Sequence, residues 1–149
     1  VCLEAEKSPK AKVSHHRLHE DFEGIDETIA MSSMYAANHL GAKVVATLTQ
    51  TGKTALWMSR ISSNISIFAM SDNYKTLKKV TIYRGVYPCY IEKNSADDWN
   101  DVNSKVIENL LSKSVVVDKD IVIVTKGMHK DKSGGTNLMK ILRVGDGNY

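Results

Sequence analysis

The sequence predicts an α/β fold, a three-layer doubly wound domain with a mostly parallel five-stranded sheet whose last strand is antiparallel. Short apolar strands alternate with helical segments along most of the chain, which is typical of a parallel sheet covered on both faces. The connection "HKDKSGG" between the last two strands is too short for a crossover helix. These two strands are therefore expected to pair antiparallel.

The first regular element is a helix that begins at Ile25. Apolar residues recur near helical spacing as far as Leu40, Asp26 and Glu27 lie in the first turn, and Gly41 is a stop signal. The β-branched, nearly uncharged segment "AKVVATLT" predicts a buried strand. "TGKTALWMSRISS" then has helical spacing, and "ISIFAMS" is a second buried strand.

The second half continues the alternation. "DNYKTLKKVTIY" predicts a helix that begins at an aspartate cap, and "GVYPCYI" predicts a third strand. "SADDWNDVNSKVIENLLSKS" is an amphipathic helix with a Ser95 cap, early acids and late lysines. "DIVIVTKG" is the most apolar strand, and the alternating "NLMKILRV" is the last. The polar segment 1–23 contains Pro9 and predicts an arm before a domain over 24–149.

Composition excludes several classes of protein. A chain of 149 residues with 42% hydrophobic residues fits one globular domain, and a net charge of +3 indicates neither nucleic acid nor membrane as a partner. There is no apolar run of about 20 residues and no signal peptide, so we expect a cytoplasmic protein. Cys2 and Cys89 lack disulfide or zinc spacing, which predicts reduced thiols.

The stretch "TLTQTGKTALW" contains the Gly-Lys-Thr of a nucleotide phosphate loop. The full pattern needs a glycine five residues before Gly52, and that position holds Thr47. A β-branched residue there favours a strand that continues to Thr49 and then a tight turn. The sequence therefore does not favour nucleoside triphosphate hydrolysis.

Two loops follow strands whose carboxyl ends flank the expected switch point, where open α/β sheets bind ligands. The loop Thr49–Thr54 offers free backbone amides, two threonine hydroxyls and Lys53 to a phosphate. The loop Lys126–Asn137 offers lysines and a Ser-Gly-Gly-Thr turn. The alternative is that Thr51 or Thr54 only caps a helix and that the lysines lie on a solvated hairpin tip.

Other candidate sites are weaker. His15, His16 and His19 lie on the predicted arm without a scaffold for a metal, and Asp97 and Asp98 fit the first turn of a helix. No catalytic triad can be assembled from the sequence. Trp57 and Trp99 lie on predicted helices, where core and ligand-stacking roles remain open and partial burial is expected.

The segment "ETIAMSSMYAANHLGAKVVATLTQTGKTALWMSRISSNISIFAMS", followed by "YRGVYP", closely resembles the carboxyl-terminal domain of pyruvate kinase, particularly of bacterial type. "VCLEAEK" resembles the last helix of the catalytic barrel, which agrees with a start at Val1 and not at methionine. The resemblance implies part of a homotetrameric glycolytic enzyme that transfers a phosphoryl group from phosphoenolpyruvate to ADP with magnesium and potassium. In that family the barrel carries the chemistry and both metals, so the chain alone is expected to hold no cofactor and to be inactive.

The resemblance also implies an effector site for a sugar phosphate or AMP. The family's phosphate turn matches Thr49, Gln50, Thr51, Gly52, Lys53 and Thr54, and its second effector loop matches the segment with Ser133, Gly134, Gly135 and Thr136. Lys126, Lys130 and Lys132 are possible further contacts. Forms selective for fructose 1,6-bisphosphate often have Arg in place of Lys53 and Trp-Arg in place of Met128 and His129, so the ligand stays open.

Three roles are compatible with these features. The first is a regulatory domain in which effector binding orders the second loop and, through the last strand, biases the subunit interface. The second is a free-standing module that binds a phosphorylated metabolite. The third is a purely structural oligomerisation domain.

Overall fold

The computed structural model describes residues 21–61, 63–92, 99–127, 135–147 and 149. Within these residues the elements are, in chain order, α1 (Ile25–Leu40), β1 (Val44–Leu48), α2 (Lys53–Ser59), β2 (Ser66–Ser71), α3 (Tyr74–Val80), β3 (Val86–Tyr90), α4 (Trp99–Ser112), β4 (Ile121–Gly127) and β5 (Thr136–Arg143). Several predictions fall outside the described residues, namely most of the arm 1–23 with Cys2, His15, His16 and His19, and also Ser95, Asp97 and Asp98.

The elements form one five-stranded sheet in the order β3-β2-β1-β4-β5. β1 pairs in parallel with both β2 and β4, and β2 pairs in parallel with β3. β5 runs antiparallel to β4, as the short connection predicts. The predicted fold class is confirmed.

Helices cover both faces of the sheet. Successive strand residues point to opposite faces, so Val44 packs in an apolar cluster with Val106 of α4. Its neighbour Val45 packs in the other cluster, with Met34 of α1 and Met58 of α2. α3 also contributes to this second cluster, which places three helices opposite α4.

The helix ends follow local sequence signals, with one correction. α1 ends at Gly41, which adopts a left-handed φ of 64° and confirms the predicted stop. α3 begins one residue later than an Asp72 cap requires. Its cap is Asn73, whose side chain accepts a hydrogen bond of 3.0 Å from the backbone N–H of Lys75.

The buried face of α1 differs from the apolar periodicity seen in the sequence. Ile25 and Leu40 are 68% and 47% exposed, whereas Ala30, Met34 and Ala37 are buried. α1 packs against α2 and over β1, β4 and β5. The alanines on the inner face allow this close packing, while Ile25 and Leu40 at the two ends of the helix stay exposed.

Candidate functional site

The two loops predicted to bind phosphate come together at one edge of the sheet. β1 and β4 are adjacent, although the chain forms β2 and β3 on the other side of β1 before it returns to β4. The loops after β1 and β4 therefore lie at the switch point. They meet directly, because the hydroxyls of Thr54 and Thr136 lie 2.7 Å apart in a buried hydrogen bond.

The phosphate turn Thr49–Thr54 satisfies part of its own backbone. Gly52 has a left-handed φ of 78°, and its N–H donates to Thr49 Oγ1 at 2.9 Å. The N–H of Lys53 makes a longer contact of 3.4 Å to Thr51 Oγ1. The sequence predicts free amides here, but these two have side-chain partners, so an incoming anion has to replace threonine oxygens at these positions.

Helix α3 supports the turn from the side. The hydroxyl of Thr76 donates to the carbonyl oxygen of Gln50, and Lys79 Nζ donates to the carbonyl oxygen of Thr51 at 3.3 Å. Neither residue is predicted from the sequence to lie at the site, since both are on the following helix and only the parallel pairing of β1 with β2 brings them to the turn. Lys79 adds a second cation beside Lys53.

The charged group of Lys53 is paired with a buried carboxylate. Its Nζ lies 2.8 Å from Oδ2 of Asp26, in the first turn of α1. The Asp26 side chain is 6% exposed and that of Lys53 is 47% exposed. The contact is an ion pair by distance, while Oδ2 has no hydrogen bond of good geometry. The sequence predicts Asp26 only as a first-turn acid, and its position at the site follows from how α1 crosses the sheet.

The second loop is described only at its ends. Ser133, Gly134, Lys130, Lys132, Met128 and His129 lie outside the described residues. A side chain on Gly127 would meet the carbonyl oxygen of Gly135 at 2.5 Å, so the two strands approach closely where the loop begins and ends. Lys126, in β4, has an interaction of its own and is half-buried.

The position of Thr47 confirms that the Gly-Lys-Thr stretch differs from a nucleotide phosphate loop. Thr47 lies within β1, opposite Ala69 of β2 and Thr125 of β4. The strand continues where a nucleotide-binding loop would already have turned. Thr49 and Gly52 then form a tight turn joined by the hydrogen bond between the Thr49 hydroxyl and the Gly52 amide.

Cys89 and Trp57 have structural environments. The Cys89 thiol is free, buried and 3.0 Å from Oδ1 of Asn109, and burial raises its pKa from the ordinary value of 9.0 while Lys113 lowers it less. A neutral thiol is a poor nucleophile. Trp57 is partly buried, as predicted, and the guanidinium of Arg60 lies 4.6 Å from the centre of its ring.

A separate cleft of about 290 Å³ opens at the other end of the sheet, near the start of β2 and before β3. Its lining includes Met34, Asn64, Ser66, Arg84 and Tyr87, and none of the predicted site residues. The predicted effector-binding residues therefore lie at the other end of the parallel strands from this cleft.

Across the described part of the chain, no three histidine, cysteine, aspartate or glutamate side chains come together as metal ligands. Within the same residues, none of the helices is both long and apolar enough to cross a membrane.

Comparison with known proteins identifies the family. Residues 27–142 match the model of the pyruvate kinase alpha/beta domain. The chain is 48% identical over 145 residues to the pyruvate kinase of Buchnera aphidicola subsp. Schizaphis graminum and 46% identical over 145 residues to pyruvate kinase II of Salmonella typhimurium. Each alignment covers 97% of this chain and 30% of the relative.

The chain thus spans about 30% of the length of these relatives. The matched region contains most of α1, every element from β1 to β4 and most of β5. These elements form the five-stranded sheet and carry the loops after β1 and β4. The chain belongs to the pyruvate kinase alpha/beta domain family.

Proposed function

We propose that the chain is the regulatory domain of a pyruvate kinase, which binds a phosphorylated effector at the turn Thr49–Thr54 and contributes to the contact between subunits. One observation carries the proposal: the hydroxyls of Thr54 and Thr136 meet at 2.7 Å. This bond joins the phosphate turn to the first residue of β5, which is an edge strand of the sheet. A ligand that shifts the turn therefore also acts on β5 through this hydrogen bond.

The charges at the turn suit a phosphorylated ligand. Lys53 lies in the turn and Lys79 contacts it from α3. The sequence of the second loop contains further lysines and glycines. Lys53 supplies a point charge, which suits a sugar phosphate or AMP without the paired hydrogen bonds of an arginine. Effector binding changes the quaternary state only if the ligand prefers one state, which a connection between turn and edge allows.

The catalytic reaction belongs to the barrel of the complete enzyme in this proposal. There phosphoenolpyruvate and ADP are converted to pyruvate and ATP in a homotetramer, and magnesium and potassium serve that barrel. The described residues of this chain offer no cluster of metal ligands.

Replacing Lys53 tests the proposal. We expect Lys53→Ala to weaken binding of AMP, ribose 5-phosphate, glucose 6-phosphate or fructose 1,6-bisphosphate by about 1.5–3 kcal/mol, because a charge-assisted contact is lost. Calorimetric titration of both proteins measures the change, and an unfolding curve checks that the variant is folded.

The result separates the three roles. Saturable binding that Lys53→Ala weakens supports either a regulatory domain or a free-standing module, and the ligand that binds names the effector class. If neither protein shows saturable binding, the regulatory role and the free-standing role are both contradicted, and a purely structural domain is favoured.

A further inference from the structure

The ammonium group of Lys53 is already engaged by a second anion. Asp26 Oδ2 lies 2.8 Å from Lys53 Nζ. A phosphate at the turn needs the same ammonium group. One cation therefore faces two possible partners.

Asp26 and Lys53 differ in their freedom to move. Asp26 is fixed in the first turn of α1, and its side chain is 6% exposed. A buried carboxylate is costly without a compensating cation, so Asp26 retains Lys53 strongly. Lys53 is 47% exposed on a long flexible stem, which allows its charged end to turn toward a ligand.

Asp26 also opposes a phosphate directly. A dianionic phosphate placed within reach of Lys53 comes near Oδ2 of Asp26, a buried carboxylate oxygen without a well-directed hydrogen bond. The ligand must therefore overcome repulsion from Asp26 as well as attract Lys53. Competition for Lys53 and repulsion both lower the affinity of the turn for phosphate, and both come from the charge of Asp26.

We infer that Asp26 restrains Lys53 in the ligand-free domain and sets the affinity of the effector turn. The inference rests on the proposed effector function and adds a determinant on α1 to a site built from the loops after β1 and β4. Only a ligand with enough binding energy to draw Lys53 from Asp26 occupies the turn. Asp26 is a positioning residue in this scheme, since it acts through Lys53.

The experiment is a four-protein cycle with a matched control. Calorimetric titrations with AMP and ribose 5-phosphate are performed on the 149-residue chain, Asp26→Asn, Lys53→Ala and the double variant. Glu27→Gln removes a neighbouring buried carboxylate of the same helical turn and leaves the Asp26 ion pair in place. Asp26→Ser provides a second variant if Asp26→Asn does not fold.

We expect Asp26→Asn to bind at least one of the two ligands about tenfold more tightly than the unmodified chain. Glu27→Gln is expected to stay within about twofold, because the ion pair between Asp26 and Lys53 stays in place in this variant. The gain should be clearly smaller when Lys53→Ala and the double variant are compared, because the released ammonium group no longer contributes and only the relief of direct repulsion remains.

Three results overturn the inference. If the folded Asp26→Asn variant binds no more tightly while Lys53→Ala still weakens binding, Asp26 does not restrain the site and the proposed effector function stands. If the gain is as large without Lys53 as with it, direct repulsion explains it and Asp26 does not restrain Lys53. If none of the proteins binds AMP, ribose 5-phosphate, glucose 6-phosphate or fructose 1,6-bisphosphate, the effector function and the restraint by Asp26 both fail.

Discussion

Gly52 combines a left-handed backbone with a position that has no space for a side chain. Its φ is 78°, and a Cβ atom would lie 2.8 Å from Cγ1 of Val80. Val80 is buried and β-branched, so it cannot rotate away easily. The turn can approach α3 this closely only with glycine at this position.

We expect Gly52→Ala to lower the free energy of unfolding by about 2–4 kcal/mol, from backbone strain together with the clash at Val80. Gly41→Ala is the matched control, since Gly41 has a φ of 64° but no atom within 4 Å of an added Cβ. Its cost should be about 1 kcal/mol. Urea unfolding followed by circular dichroism measures both, and equal losses would show that the clash at Val80 contributes nothing.

The hydrogen bond between Thr54 and Thr136 joins two elements that are far apart in the chain. Thr54 lies in the first turn of α2 and Thr136 begins β5, and both residues are buried. Their hydroxyls lie 2.7 Å apart and satisfy each other. A change in either hydroxyl therefore reaches both the turn and the edge strand.

A double-mutant cycle tests the strength of this connection. Thr54→Val and Thr136→Val should each lower the free energy of unfolding by about 1–2 kcal/mol, because each leaves the other hydroxyl buried and unpaired. The double variant should lose less than the sum, with a coupling of about 1 kcal/mol. Chemical denaturation measures the four proteins, and strictly additive losses would argue against a functional connection.

The sheet as a whole ends in two edge strands, β3 and β5. β5 carries Ile141, an apolar side chain that is 46% exposed. Exposed edge strands with apolar residues favour pairing with another chain. In the proposed function this edge contributes to the contact between subunits.

We expect the chain to self-associate and Ile141→Glu to weaken the dimer by about 2 kcal/mol or more, equivalent to about 30-fold in Kd, because a charge enters the contact. Ile82→Glu is the control, since Ile82 is 84% exposed just after α3, away from β5. Light scattering over a range of concentrations measures both. A strict monomer for the unmodified chain, or equal effects of the two variants, would contradict association through β5.

Much of the architecture was predictable because each element carries its own local signal. The β-branched run of β1 and the stop at Gly41 depend on neighbours in the chain, and both are confirmed. The inner face of α1 was not predictable from its periodicity. Its alanines are buried by close packing on the sheet and on α2, which hydrophobicity alone does not indicate.

The amino-acid sequence by itself determined the order of strands and helices, the antiparallel last strand, the resemblance to the family and the turn between β1 and α2, since these depend on local patterns of residues. The tertiary structure alone decided that Asp26 pairs with Lys53, that Thr54 meets Thr136, and that Thr76 and Lys79 support the turn. Each of these contacts joins residues from different elements. Such contacts depend on how the helices cross the sheet, and a pattern of neighbouring residues carries no direct record of that geometry.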